Sequence, residues 1–238
     1  MSLNTDKTKL IFFTTSNNVR TPQIIINNVN IEVVKSYTYL GLTVDNKLNF
    51  NEYLTKLAKK LASVNGILNS IKQFLANKTN TSIYYALAYS YINQYILVWG
   101  GLPKSNLNQI QVQQNNIIRN IAPKNLTYSN TRDLYKKLNL LNINQIYSYQ
   151  LCIFAYKWTH NMYDVFEYTV NNATPNPQHI TRNSRNLKLP FPRLNKHKQF
   201  VLYNAIKFFN ELPPDIKIVQ KIPLFKKLCM KYVKNKIW

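Results

Sequence analysis

The hydrophobic positions of this chain follow two rhythms in succession. Up to about position 50 they come in short runs. Leu10-Ile11-Phe12-Phe13 is one, and Ile24-Ile25-Ile26 and Val29 to Val34 are two more. Asn27-Asn28 between them suits a tight turn, because Asn tolerates positive φ. Tyr39 to Val44 reads as a third strand, which Asp45-Asn46 ends with turn chemistry.

From Asn51 the period lengthens. Leu54, Leu57, Ala58, Leu61, Val64, Leu68, Ile71 and Leu75 fall on one face of an amphipathic helix, with Lys56, Lys59, Lys60 and Lys72 mostly off that stripe. A second helix is predicted from Ser82 to Trp99, stopped by Gly100-Gly101 and Pro103. A third carries Leu107, Ile110, Gln114, Ile117, Ile118 and Ile121 and ends before Pro123. Three successive helices with short joints suggest a small bundle.

Thr131 to Leu138 and Asn142 to His160 read as helices, the second with Ile146, Tyr149 and Ile153 inward. From Tyr163 to Lys198 the periodicity fails. Pro175, Pro177, Pro190 and Pro192 punctuate a segment carrying Arg182, Arg185, Lys188, Arg193, Lys196 and Lys198, which predicts a long irregular basic arm. Phe200 to Asn210 is helical again and Leu212-Pro213-Pro214 closes it. Pro223 opens a last helix with Phe225, Leu228 and Tyr232 on its apolar face. The fold class is α+β, mainly α, with a small N-terminal β element.

Charge changes the picture more than composition does. Lys plus Arg number 31 against 9 Asp plus Glu, a formal net charge of +22. Such a surface repels itself and suits a polyanionic partner, nucleic acid before an acidic membrane. Apolar residues at 45% suffice for a core. Cys152 and Cys229 form neither a Cys-x-x-Cys pair nor a disulfide framework, and buried thiols of a reducing compartment fit them. Met1 to Leu10 lacks a signal-peptide pattern, so the expected location is intracellular, nuclear or cytoplasmic. The Asn77 and Asn125 glycosylation patterns then carry no weight. The uncharged stretch between Lys78 and Lys104 contains Ser90, Asn93, Gln94 and several tyrosines, so it reads as a buried helix rather than a membrane span.

Metal-assisted phosphoryl transfer needs converging carboxylates, yet Asp6, Asp45, Asp133, Asp164 and Asp215 are scattered. Asp164 and Glu167 are the exception and read as a solvated pair. His160, His179 and His197 lack ligand spacing, and no nucleophile elbow or phosphate loop occurs. No metal site and no complete active site are expected. Tyr84, Tyr85, Tyr89, Tyr91 and Tyr95 suit base stacking, although helical spacing places such residues in a core more often.

Two strings weigh more than composition. Leu3-Asn4-Thr5-Asp6-Lys7-Thr8-Lys9, ahead of the Leu10 run, resembles the motif that follows the catalytic box in jockey-like non-LTR retrotransposon reverse transcriptases. Tyr37 to Asp45, with Leu48 and Phe50, resembles that family's Tyr-Leu-Gly hairpin and thumb entry. Gly66-Ile67-Leu68, the Tyr91 to Gly100 helix end and Gln111 to Arg119 continue the likeness. So do His179-x-Thr181-Arg182 with Leu189-Pro190 and Arg193, and Phe208-Phe209-Asn210 before Leu212-Pro213.

The resemblance implies the C-terminal part of such an enzyme. Residues 1–48 would be a palm edge with a primer-grip-like hairpin, 49–122 a thumb-like helical bundle, and 123–238 a helical region with the basic arm. In that family the aromatic-Ala-Asp-Asp box lies upstream of the first string. The expectation is therefore a chain without the catalytic carboxylates, the fingers or a Cys-Cys-His-Cys knuckle. Mg2+ is implied for the parent enzyme and no cofactor for this chain. Lys7 would be a pyrophosphate-side proton donor in an intact enzyme, or otherwise an exposed lysine before a strand. Tyr39, Leu40 and Gly41 would form the primer grip, or else a plain strand with a Gly bulge. Lys56, Lys59, Lys60, Lys72, Arg182, Arg185, Lys188 and Arg193 would contact nucleic acid, or else form solvated faces. The partners implied are RNA and RNA–DNA hybrid, and the palm and fingers, with no membrane. Two other roles stay open: a subunit completing a polymerase in trans, and a basic structural scaffold.

Overall fold

The computed structural model describes residues 4, 7–14, 16, 23–74, 76–123, 126, 130–160, 162 and 186–236. Leu75, Asp6, Asp164, Glu167, His179, Arg182 and Arg185, and the glycosylation pattern's Asn125, lie outside them.

The N-terminal strands are shorter than the apolar runs suggest. β1 (Lys9–Leu10) pairs in parallel with β4 (Glu32–Val33), and β2 (Ile25–Ile26) pairs with β3 (Val29–Asn30) across the Asn27-Asn28 turn. Both turn residues have positive φ, as their type requires. Ile31 and Thr43 are the buried side chains among the described residues up to Asp45, so little core holds strands there.

The expected third strand is a hairpin instead. β5 (Ser36–Tyr39) and β6 (Leu42–Asp45) pair antiparallel around Leu40-Gly41, in the register Ser36 to Asp45 through Tyr39 to Leu42. Leu40 and Gly41 have φ of 49° and 88°. Positive φ at both central residues matches the twist of the flanking strands. Gly takes such a conformation without cost, whereas Leu does not. The hairpin is the form that the family resemblance implies.

Helix α1 (Asn51–Ile71) buries Leu54, Leu57, Leu61, Val64 and Leu68 of the predicted stripe, with Tyr53 beside them, while Ala58 and Ile71 are half-buried. The residue before it, Phe50, has φ 54° and makes no capping side-chain bond. The Asp45 carboxylate accepts from the backbone N–H groups of Lys47, Asn49 and Phe50 at 3.0, 3.0 and 2.6 Å. One carboxylate thus closes the hairpin and leads the chain into the helix.

The second predicted helix is interrupted. It starts earlier, as α2 (Asn77–Ile83), passes through a π turn (Tyr84–Tyr89), and ends as α3 (Ser90–Asn93). Gln94 is extended and Tyr95 has φ 57° before α4 (Ile96–Trp99) resumes. The break exposes the Gln94 carbonyl, which accepts from the Trp99 indole at 3.1 Å and the Tyr53 hydroxyl at 3.4 Å.

Helix α5 (Lys104–Ile121) buries Leu107, Ile110, Gln114, Ile117, Ile118 and Ile121, as predicted. It runs parallel to α1. Asn106 donates to Asn51 at 2.9 Å and Asn120 to Asn65 at 2.7 Å, both pairs 55 residues apart, so the two helices stay in step. Buried Gln114 donates to the Tyr84 hydroxyl and the Leu141 carbonyl, each at 2.9 Å, tying the π turn to the next region.

Next come α6 (Thr131–Lys137) and α7 (Ile143–Thr159), which begins in a capping box made by Asn142 and Gln145. Helix α7 buries Ile146, Tyr147, Leu151, Phe154, Ala155 and Trp158 among others, while Tyr149 and Ile153 are half-buried. The single inward stripe expected for it is replaced by burial on most sides, because α3 and α4 pack on it as well as α8 (Val201–Glu211) and α10 (Ile222–Asn235). Between those last two lies α9 (Pro214–Lys217), and Pro223 stands in the first turn of α10. One apolar cluster runs from Phe50 to Val233. Cys152 and Cys229 are both buried and free, and they meet where α7 packs on α10. The hydrogen bond with Cys229, then burial, pushes the Cys152 thiol well up.

Candidate nucleic-acid interface

The hairpin, α1 and the α3–α4 break surround a cleft of about 280 Å3. Gly41, Tyr53, Lys56, Leu57, Lys59, Lys60, Tyr91 and Gln94 line it. The helical period explains the lysines. Tyr53, Lys56, Leu57 and Lys60 recur at three-four spacing, so core and cleft residues alternate along one edge of α1.

Each wall is fixed by a specific bond. The Tyr95 hydroxyl donates to the Leu40 carbonyl, latching the hairpin turn to the helix break. The Lys56 ammonium donates to Thr43 Oγ1 of β6 at 3.3 Å and to Glu52 Oε1 at 2.8 Å. That hydrogen bond from Lys56 lowers the Glu52 carboxyl. Lys60 stands over the Tyr91 ring with Nζ 5.4 Å from its centroid. Lys59 and Lys60 are exposed and have no acidic partner among the described residues. The wall therefore presents positive charge beside two tyrosines. Desolvation raises Tyr53 to about 12, so its hydroxyl stays protonated at neutral pH.

The structure brings Gly41 together with Lys56, Lys59 and Lys60 and leaves other expected site residues apart. Tyr39 precedes the turn and Leu40 is its first residue; they are 67% and 74% exposed and do not line the cleft. Lys72 caps the far end of α1, bonded to Asn120 at 2.9 Å. Twelve residues beyond Lys60, it lies about 18 Å further along the helix. Lys7 is exposed, its N–H donating to Asn4 Oδ1 at 3.2 Å, and does not line the cleft.

The arm is anchored rather than free over its described part. The Asn210 side chain bonds both the N–H and the carbonyl of Leu187 at 2.8 Å, and Lys217 donates to Asn186 at 2.8 Å. Lys188 and Arg193 are exposed on it. A 3-10 turn follows (Asn195–Gln199), and Lys196 donates to Asn49 Oδ1 at 2.8 Å, at the foot of α1. That contact joins the arm to the helix bearing the cleft lysines.

The tyrosines divide. Tyr84 is core, Tyr85 is exposed beside Tyr89, Tyr91 lies in the cleft and Tyr95 is the latch. The cleft roles of Tyr53 and Gln94 were missed, although the spacing of Tyr53 from Lys56 and Lys60 on one helix was a usable signal. Among the described residues no group of three His, Cys, Asp or Glu could hold a metal ion. No helix there is long and apolar enough to cross a membrane.

The architecture is that of a mainly helical α+β protein with a basic hairpin–helix cleft. No protein-family model matches the chain, and no solved structure does. It is similar to the RNA-directed DNA polymerase from mobile element jockey of Drosophila melanogaster, 28% identical over 125 residues. The match takes in half of this chain and 13% of that protein. It establishes a distant relation to a retrotransposon reverse transcriptase.

Proposed function

We propose that the chain binds RNA–DNA hybrid and RNA as the hairpin-and-thumb part of a retrotransposon reverse transcriptase, holding the backbone in the cleft. The observation that carries this reading is the meeting of the Gly41 turn with Lys56, Lys59 and Lys60 in one cleft. Gly41, without a side chain, lets a sugar–phosphate approach closely, and the ammonium groups of Lys59 and Lys60, which have no acidic partner among the described residues, neutralise phosphates beside that of Lys56. Tyr91, held under Lys60, offers a face for a base or sugar. The relation to the jockey polymerase agrees with this. Lys188, Arg193 and Lys196 would extend the contact along the arm, and Arg182 and Arg185, outside the described residues, are proposed for the same role.

Nucleotide addition is not proposed for this chain alone. In-line transfer needs two metal ions held by converging carboxylates. The described acids near the hairpin are committed elsewhere: Glu32 pairs with Lys9, Glu52 with Lys56, and Asp45 accepts from the backbone N–H groups of Lys47, Asn49 and Phe50. Mg2+ and Lys7 would serve only an enzyme that supplies the carboxylates.

Retention of a labelled primer–template hybrid at low salt tests the reading. The chain should retain it, and K56Q/K59Q/K60Q should lose about tenfold or more in affinity. Equal retention by this variant and the parent would end the cleft reading. Added magnesium or manganese should give no primer extension.

A second reading rests on exposed apolar side chains of the strand region: Phe13, Ile25, Val29, Val33 and Tyr37. They suit a docked polypeptide such as a palm and fingers, so that the chain completes a polymerase. Co-elution with a separately made palm tests it.

A further inference from the structure

Helix α10 carries a lysine pattern that the cleft does not use. Its buried side holds Phe225, Cys229 and Val233. At about 100° per residue, Lys227, Lys231 and Lys234 then fall together on the opposite side. Lys227 and Lys231 are exposed, with no partner among the described residues. Lys234 donates to Asn139 Oδ1 at 2.6 Å, and the Asn139 N–H donates to the Lys136 carbonyl at 3.1 Å. These two bonds set the basic end of α6 beside α10, with Lys136 exposed one turn away.

Among the described residues no acid forms an ion pair with the strip. Glu211 is held by Lys236, Asp133 stands on α6 itself, three residues before Lys136, and Asp215 sits on α9 ahead of α10. Like charges three and four residues apart weaken a helix, so the pattern opposes folding unless something outside offsets it. We propose that Lys136, Lys227, Lys231 and Lys234 form a second interface, which binds the phosphate backbone of a nucleic-acid strand.

An anionic membrane fits less well. A helix lying on lipid needs an apolar face free to insert. That of α10 is spent in the core, and Leu224 is its one large exposed apolar side chain. The strip is also separate from the cleft, because α7 stands between them. Gln150 of α7 donates to Asn93 at 2.8 Å on one side, and Gln145 to the Val233 carbonyl at 3.3 Å on the other. Ammonium groups on a helix side read charge rather than bases, so binding should be independent of sequence.

The test is the salt dependence of binding to labelled oligo(U) RNA by the full chain and by K136Q/K227Q/K231Q. Lys234 is spared because it holds Asn139. The slope of log K against log salt should fall by about two, roughly 0.7 for each lost contact, with thermal melting unchanged. Should melting also drop, the matching Lys→Arg variant must keep the parent slope, and failure to do so overturns the inference. An unchanged slope in the Gln variant overturns it. So does loss of binding to phosphatidylserine vesicles with RNA binding intact. K56Q/K59Q/K60Q run in parallel separates the two surfaces. Loss there alone removes the strip and leaves the cleft, and loss in the strip variant alone does the reverse.

Discussion

Leu40 holds φ 49° at the exposed tip of the hairpin, where Asn would be the favoured residue. Leu40→Asn should therefore raise stability by about 0.5–1 kcal/mol, read as a higher urea midpoint, while hybrid affinity falls if the Leu side chain meets the primer. Lower stability in L40N would show that the turn is not strained. Tyr95→Phe, which removes the latch onto Leu40, should weaken hybrid binding and spare most of the stability, since the bond is exposed. Gln114 differs because it is fully buried, with two partners. Gln114→Ala should cost about 2–4 kcal/mol by stranding the Tyr84 hydroxyl and leaving a void. Residue roles of this kind were the least legible part of the sequence. Leu40 carries no turn signature, and Gln114 looks like a polar interruption until Tyr84 and Leu141 are seen beside it.

At the scale of elements, legibility followed whether the cause was local. The α1 and α5 stripes depend on their own period, and their buried residues match it. The break at Gln94-Tyr95 depends on Tyr53, Trp99 and Leu40, which no window along the chain contains. The same holds for the cleft: its lysines were legible on α1, but their meeting with Gly41 and Tyr91 is a product of folding. Gly101 was read as a helix stop, yet a Cβ there would lie 2.1 Å from the Gln199 carbonyl oxygen. Gly101→Ala should therefore loosen the arm where it joins the bundle, seen as faster proteolysis between Asn186 and Gln199. Asp45 was weighed as a metal ligand, and its carboxylate is occupied by backbone N–H groups. Asp45→Ala should cost about 1–2 kcal/mol through the lost hydrogen bonds of the turn before α1, visible as a lower melting temperature with the helical signal otherwise intact.

The whole molecule combines a tyrosine-rich core with a large positive charge. Burial raises Tyr53 and Tyr149 to about 12 and raises Tyr84, Tyr135 and Tyr147 as well, from a usual value of 10.0. The folded state thus holds these protons more tightly than the unfolded chain. Their contribution is complete below about pH 10 and is lost as pH rises through 12, because there the unfolded chain binds fewer protons. The urea midpoint should fall steeply above about pH 10. A flat midpoint across that range would mean the tyrosines are not buried as described.

The use proposed for the charge is nucleic acid held against the hairpin. Photo-crosslinking reports that contact most directly, with benzoylphenylalanine in place of exposed Leu40 and a radiolabelled primer annealed to an RNA template. The hybrid should crosslink from position 40, and the crosslink should disappear in the K56Q/K59Q/K60Q background. A chain that binds the hybrid yet gives no crosslink from position 40, or gives the same crosslink without those lysines, would contradict the proposed use.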